Sequence, residues 1–431
     1  MSAAGAARAA GTSGTTAACA QDGLVHGMGK EPAEPDWSPL TAAEVSAVLA
    51  RYGLPGPDGT AAGPDGTAAG GVAVVWHSPR PMSAAGLARL PAGTGTGTRG
   101  GAVFVKRHDP RVRSAGQLAA EHAFIAHLRA RGVPVPAVRR TPYGASVARR
   151  GGLVYEVHDV APGLDLYRDA VSWSPFASAG HARAAGAALA RLHRAAADFT
   201  RPGRPQAVLI GSCAVVTAPD PVTAIGGMIR RRPALGRYLR SRSWRQDAVR
   251  YLAEPAARAA ARLRALPRQW GHGDWHPSNL TWTSASARAR VAGVFDFGLA
   301  NRTFAVHDLA TALERSTVGW LDLAESGRAS ADLAAIDAFL DGYESVRPLS
   351  PAESAALPEV LPVVHIEYAL SEIEYFADVV ASPGNAELAY EGYLLGHARW
   401  FGTAEGQAVT GRLRARVTRH PGPGTCCASG A

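Results

Sequence analysis

Trp270–Leu280 reads WGHGDWHPSNL and places two histidines, an aspartate and an asparagine within eleven residues, between stretches rich in Ala and Arg. Three readings compete. His272, Asp274 and His276 alternate as the ligands of a binuclear metal hydrolase can, with Asp296 or His307 to complete the set. Asp274 and Asn279 can equally cap turns, as Asx side chains commonly do. The third reading rests on spacing.

Asn279 follows Asp274 by five residues, and VFDFG places Asp296, flanked by bulky apolar residues, seventeen residues later. An aspartate at the end of a short loop can orient a hydroxyl and receive its proton. An asparagine and a second aspartate, both hard oxygen donors, can share magnesium ions that bridge the phosphates of ATP. Such a site also needs a cation on the phosphates. Of 45 basic residues only Lys30 and Lys106 are lysines, and Lys106 closes the strand-like AVFVK. Where arginine is the default cation, a lysine in a strand asks for a specific role. Fifteen residues on, Glu121 shares a helix face with Leu118, Ile125 and Leu128. Buried there unpaired it would cost several kcal/mol, so it needs a cation, and Lys106 is the natural one.

Two stretches could hold phosphates. GTGTGTRGG (Gly93–Gly101) looks like a glycine-rich loop, but Gly97 lies too close to Lys106 for a strand, a turn and a second strand, and reads as a hairpin tip. SPRPMSAAG (Ser78–Gly86) is the better candidate, through Ser83 and nearby backbone N–H groups.

H-G-D-W-H-P-S-N followed by F-D-F-G resembles the catalytic loop and metal-binding segment of the aminoglycoside phosphotransferase and choline kinase family, whose fold is similar to that of protein kinases. The resemblance runs from roughly Val72 to Trp400, and EHAFIAHLRARGVPVP also resembles the family. It implies an α+β, protein-kinase-like two-lobe fold: a small antiparallel-sheet N-lobe with one main helix, and a larger, mostly helical C-lobe. It further implies transfer of the γ-phosphoryl group of Mg2+-bound ATP to a small-molecule hydroxyl, with Asp274 as base, Asn279 and Asp296 on the metal, and Lys106 with Glu121 on the α and β phosphates. VYEVHDVAPGLDL resembles the hinge, where backbone groups near Glu156 to His158 would pair with adenine. Asp308 in AVHDLATAL matches an aspartate that steadies the catalytic loop, although alone it reads as a helix N-cap. His272 is expected to anchor the loop, and His276 either to support it or to touch the substrate. No A-P-E segment follows F-D-F-G, which argues against protein acceptors. A nucleotide-binding pseudokinase is the non-enzymatic alternative; retention of all four principal residues argues against it.

The remaining sequence fits this frame. At 431 residues, with 47% hydrophobic and 19% charged residues, the chain is long enough for two lobes around a cleft. We expect an N-terminal tail over 1–36, an ATP-binding N-lobe over 37–158 with a Gly/Pro-rich linker near 53–71 (GPDGTAA twice), a C-lobe over 159–416, and a loose tail over 417–431. The formal charge of +9 is spread along the chain, and Arg230–Arg232 lack interleaved aromatics, so nucleic acid is not an expected partner. No stretch has the apolar length of a membrane span and the N-terminus has no signal-like apolar core; a cytoplasmic protein is expected. Cys19, Cys213, Cys426 and Cys427 have no ligand spacing. The acceptor is expected among amino alcohols, sugars or aminoglycoside-like compounds. Glu367, Ser371 and Glu374 form a polar stripe that is either a solvated face or, for Glu367 and Glu374, a carboxylate lining for a cationic substrate.

Overall fold

A computed structural model describes residues 36–54, 71–78, 82, 84–91, 101–168 and 170–419. Ser83, both GPDGTAA copies and nearly all of GTGTGTRGG lie outside the described residues. A Thr41–Glu44 capping box starts α1 (Ala42–Arg51), and Leu40 and Val45, one on each side of the cap, are both buried as a staple requires. Five antiparallel strands follow: β1 (Ala73–His77), β2 (Ala84–Arg89), β3 (Ala102–His108), β4 (Ala148–Arg150) and β5 (Leu153–Asp159), in the order β1-β2-β3-β5-β4. Ala85 of β2 and Glu156 of β5 both stand opposite Lys106 of β3. VPVPAV, expected to extend the sheet, makes only a bridge from Val138 to His158, because Pro134 and Pro136 have no N–H to donate.

Between β3 and β4 lies α2 (Ala115–Ala130), capped by Ser114. Its Phe124 packs against Phe199, Trp270 and Phe297, so the one large helix of the sheet half is docked on the core of the helical half.

The helical half contains α3 (Ala179–Ala196), α4 (Pro221–Arg231), α5 (Pro233–Leu239), and α6 (Trp244–Asp247) running through a π turn into α7 (Ala253–Leu263). Two short ribbons follow. β6 (Arg268–Gly271) pairs with β9 (Asn301–Phe304), and β7 (Leu280–Trp282) with β8 (Val291–Val294). The loop carrying Asp274 therefore joins β6 to β7, and the turn carrying Asp296 joins β8 to β9. Then come α8 (Ala305–Thr317), α9 (Trp320–Ser326), α10 (Leu333–Glu344), α11 (Pro351–Val360), α12 (Ile366–Glu374), α13 (Pro383–Leu388), α14 (Gly396–Trp400) and α15 (Ala404–Arg419). Helix α8 ends where Val318 bridges Ala331, and α15 carries the chain in a helix past the expected boundary at 416, to Arg419. No helix among the described residues is long and apolar enough to cross a membrane.

Helices α3 and α10 touch through glycine. A Cβ on Gly186 would lie 2.0 Å from the Phe339 carbonyl oxygen, and one on Gly342 2.0 Å from that of Arg183. In an exposed helix, Gly→Ala gains about 1 kcal/mol. Here Gly186→Ala or Gly342→Ala must push the helices apart, and we expect a loss of about 2–3 kcal/mol in urea unfolding; an unchanged or raised midpoint would contradict this packing.

Candidate active site

The cleft between the sheet and the short ribbons holds a cavity of about 400 Å3 lined by Lys106, Glu121, Glu156, His158, Asn279 and Asp296, with Ser78 and Ala85 at the β1–β2 end. Lys106 Nζ is 3.0 Å from Asp296 Oδ1. Burial pulls the ammonium pKa down, but the carboxylates of Asp296, Glu156 and Glu121 outweigh it and raise it. Asp296 behaves conversely: burial would lift its carboxyl, and Lys106 holds it below its ordinary value. Asp296 has φ +61°, a left-handed conformation costly for a residue with a side chain and often retained at functional sites.

The expected Lys106–Glu121 ion pair is not what forms. Glu121 Oε2 instead accepts from Arg204 Nη1 at 3.0 Å, both side chains being almost fully buried. Arg204 also donates to the carbonyls of Gly298 (2.6 Å) and Ala300, just past Asp296. Lys106 is drawn to the nearer Asp296, so Glu121 reaches it only through the field. Burial pulls Arg204 down to about 10 despite Glu121, so the pair is mutually dependent.

The catalytic-loop candidate hangs from one carboxylate. Asp308 accepts from the backbone N–H of His272 (2.7 Å) and of Gly273 (2.7 Å), while His193 Nε2 lies 2.9 Å from it. It is not the helix cap, since α8 begins at Ala305. Gly273 has φ +77° and faces the Leu299 carbonyl, and a Cβ on Gly271 would lie 2.5 Å from Asp308 Oδ2; side chains fit at neither place. The His272 ring is used on both sides: Nε2 lies 3.0 Å from the Phe295 carbonyl and Nδ1 accepts from the Asp274 N–H at 3.2 Å. That removes it from the binuclear metal set. Asn279 donates through Nδ2 to the Asp274 carbonyl (2.8 Å) and to Oδ2 (3.2 Å), and lies 3.1 Å from His276 Nε2. The buried His276 ring is 3.5 Å from Asp274 Oδ1.

A residue the sequence reading missed holds Asp274 itself. Arg315 donates to Asp274 Oδ1 and lies 4.5 Å from the rings of both Trp173 and Tyr368. Burial would lift the Asp274 carboxyl; Arg315, with the His276 and His272 rings, holds it far below the ordinary range. Arg315 was legible in principle, because it stands two helical turns after Asp308 on the same face of α8. Arg204, in the aperiodic RPGRP, gave no such signal.

Two expectations are corrected. Backbone groups of Glu156–His158 are taken by the sheet: β3 pairs along one side, and the Val157 carbonyl accepts from Arg139 N–H at 2.8 Å on the other. The first backbone beyond this pairing is Val160–Ala161, which also lines the cavity. The stripe on α12 neither faces solvent nor lines the cavity. Glu367 accepts from Val215 N–H, Ser371 Oγ from Leu209 N–H at 2.6 Å, and Glu374 pairs with Arg232, so the stripe clamps the 207–232 segment.

The chain matches the phosphotransferase enzyme family (APH) over residues 94–349, more than half its length. It belongs to that family. An uncharacterized protein of Deinococcus radiodurans is 30% identical over 247 residues, covering 55% of this chain and 61% of the relative. A homoserine kinase of Acidiphilium cryptum is 27% identical over 254 residues, covering 57% and 66%. The chain thus spans less than two thirds of these curated relatives. A solved amicoumacin kinase in complex with AMP-PNP, Ca2+ and Ami shares the fold at TM-score 0.50 and 14% identity, covering 76% of this family member and 88% of that chain.

Two predictions follow from the buried carboxylates. Glu121→Ala strands the Arg204 guanidinium and should cost about 3–5 kcal/mol in denaturant unfolding; a loss below about 1 kcal/mol would mean that the pair is not buried in solution. Burial pushes Glu367 up to about 8, against donation from Val215 and Val216 N–H. The folded state thus keeps a proton that the unfolded chain loses near the ordinary value of 4.5, so this contribution is full below that pH and lost as pH rises through about 8. Glu367→Gln should gain on the parent protein between pH 5 and pH 8, by at most ~1.4 kcal/mol per pH unit; a pH-independent difference in urea midpoints would refute the shift.

Proposed function

We propose that the chain transfers the γ-phosphoryl group of ATP to a hydroxyl of a small molecule, with Mg2+ as the divalent ion. The observation that carries this is the convergence of Lys106, Asn279 and Asp296 on one cavity, with Asp274 bonded to Asn279 at its helical side. The donor set fits the group: a carboxylate and an amide oxygen suit a hard cation, and one ammonium suits phosphate oxygens. Asn279 and Asp296 would hold Mg2+, which when bound would supply positive charge against that of the phosphates. Lys106 would leave Asp296 to meet the phosphates, and Asp274 would orient the acceptor hydroxyl and take its proton. Val160 and Ala161, rather than Glu156–His158, offer backbone groups to adenine. Ala85, near the end of the Ser78–Gly86 stretch, stands opposite Lys106, which favours that stretch over Gly93–Gly101 for phosphate contact. The role of Ser83 within it lies outside the described residues.

For the acceptor, homoserine kinases among the relatives make hydroxy amino acids and amino alcohols the first compounds to test, ahead of sugars and aminoglycosides. His276 stays close enough to Asp274 to support the hydroxyl; Glu367 and Glu374 take no part. Acceptor-dependent ADP release should be read with Mg2+ and each class of compound. Asp274→Asn should lower kcat about 10²–10⁴-fold with a near-constant KM for ATP, and Asp296→Asn should abolish Mg2+-dependent turnover. Full activity of Asp274→Asn would overturn the assignment.

A further inference from the structure

Three carboxylates along the cavity wall each have a lysine or arginine partner. Asp296 has Lys106, Glu121 has Arg204 and Asp159 has Arg139. The ion pairs of the buried Glu156 are, among the described residues, all with histidines. Its Oε2 is 2.6 Å from His122 Nε2 and 2.7 Å from His158 Nε2, and its Oε1 is 2.9 Å from His108 Nε2. Three of the chain's 14 histidines thus surround one carboxylate, drawn from β3, α2 and β5.

We infer that His122 Nε2, His158 Nε2 and Glu156 form a binding site for a zinc-class divalent ion, distinct from the hard-oxygen pair Asn279 and Asp296. Their ligand atoms all lie within 4.8 Å of one another. Two imidazoles and a carboxylate suit Zn2+, Co2+ or Ni2+, whereas Mg2+ wants oxygen alone. The supports that metal ligands ordinarily carry are present. His122 Nδ1 is 2.8 Å from Ser146 Oγ, which fixes its ring, and His108 holds the second oxygen of Glu156. Glu156 and His158 also line the cavity, so an ion has an entry path and a fourth position open to water or to a ligand of the cavity. Ligand bonds of about 2.0–2.1 Å set neighbouring ligand atoms about 3.3 Å apart. Admitting the ion therefore requires the His122 and His158 contacts with Glu156 to open by about 0.6–0.7 Å, through rotation of the partly exposed His158 and a small turn of the Glu156 carboxylate.

The alternative occupant is protons alone, the histidines donating N–H to Glu156 with no ion. Titrating chelator-treated full-length protein with Co2+ in excess Mg2+ separates the two. We expect one equivalent to give visible absorption of a low-symmetry nitrogen and oxygen site, without the near-ultraviolet band of a cobalt thiolate. His158→Ala and Glu156→Gln, each checked for folding by circular dichroism, should weaken binding by more than the roughly 10–100-fold that loss of an outer-shell partner costs. Asp296→Asn should leave the cobalt spectrum intact. A folded protein with no visible cobalt absorption, or a spectrum unchanged in both His158→Ala and Glu156→Gln, would overturn the site.

Discussion

The ion pair of Lys106 with Asp296 decides how the two halves of the molecule meet. Each charge sits on a different half, the ammonium on β3 and the carboxylate on the turn between β8 and β9; the ammonium is largely withdrawn from water, while the Asp296 side chain stays 40% exposed. The sheet half cannot withdraw its ammonium from water without a carboxylate beside it, and the turn of the helical half supplies one. The closed arrangement is thus stabilised by groups that a bound nucleotide and cation would engage. Arg204 tightens the same joint from behind. One guanidinium satisfies the α2 carboxylate and the carbonyls of the Asp296 turn, so the helix that carries Glu121 cannot shift without moving that turn.

This changes what Glu121 does in the site. With a lysine partner it would be part of the phosphate grip. With Arg204 as partner it is a strut that ties α2 to the Asp296 turn, and among the described residues the carboxylate in ion-pair contact with Lys106 is Asp296. An ammonium is suited to such an exchange because it is a compact charge on a flexible stem that can swing from a carboxylate to a phosphate oxygen. A guanidinium, rigid and forked, is suited to the fixed role Arg204 has. In a chain that otherwise uses arginine almost throughout, one of the two lysines, Lys106, stands where the proposed reaction would need the cation to move.

Much of this was legible where a residue type had only one affordable environment. The apolar face of α2 states a local requirement, and the helix forms with Leu118, Glu121, Ile125 and Leu128 buried; the spacing of Asp274, Asn279 and Asp296 states another, and Asn279 donates to Asp274 and lines one cavity with Asp296. Partner choice was not legible. The α2 face says that Glu121 needs a cation, but Lys106 and Arg204 are equally permitted by that rule, and only the three-dimensional distances choose. The polar stripe on α12 failed for a related reason. Periodicity reveals a polar face, yet it cannot tell water, a ligand or another segment's N–H groups apart, and here the 207–232 backbone occupies it. The Glu156–His158 backbone was not legible as occupied, because nothing in the local pattern shows that strand β5 continues its pairing through Asp159. Likewise β6 to β9 are three or four residues long, too short for alternation to register, although they position the loops that carry Asp274 and Asp296.

In the proposed reaction, Arg315 bears on how Asp274 would act as a base at all. A carboxylate held far below its ordinary pKa by a buried guanidinium cannot deprotonate a free alcohol, whose own pKa lies near that of water. It can accept a proton late, once bonding to phosphorus has acidified the hydroxyl, which is the order a loose transition state imposes. In that order orientation matters more than basicity. Asp274 is built for orientation: Arg315 holds Oδ1, Asn279 holds Oδ2, and Asp308 fixes the loop backbone just before it. The Trp173 and Tyr368 rings on Arg315 hold the guanidinium in place, so the carboxylate stays aimed without a strained bond of its own. The same restraint separates this site from a metal hydrolase, in which the equivalent carboxylate would face an ion rather than a cation of the protein.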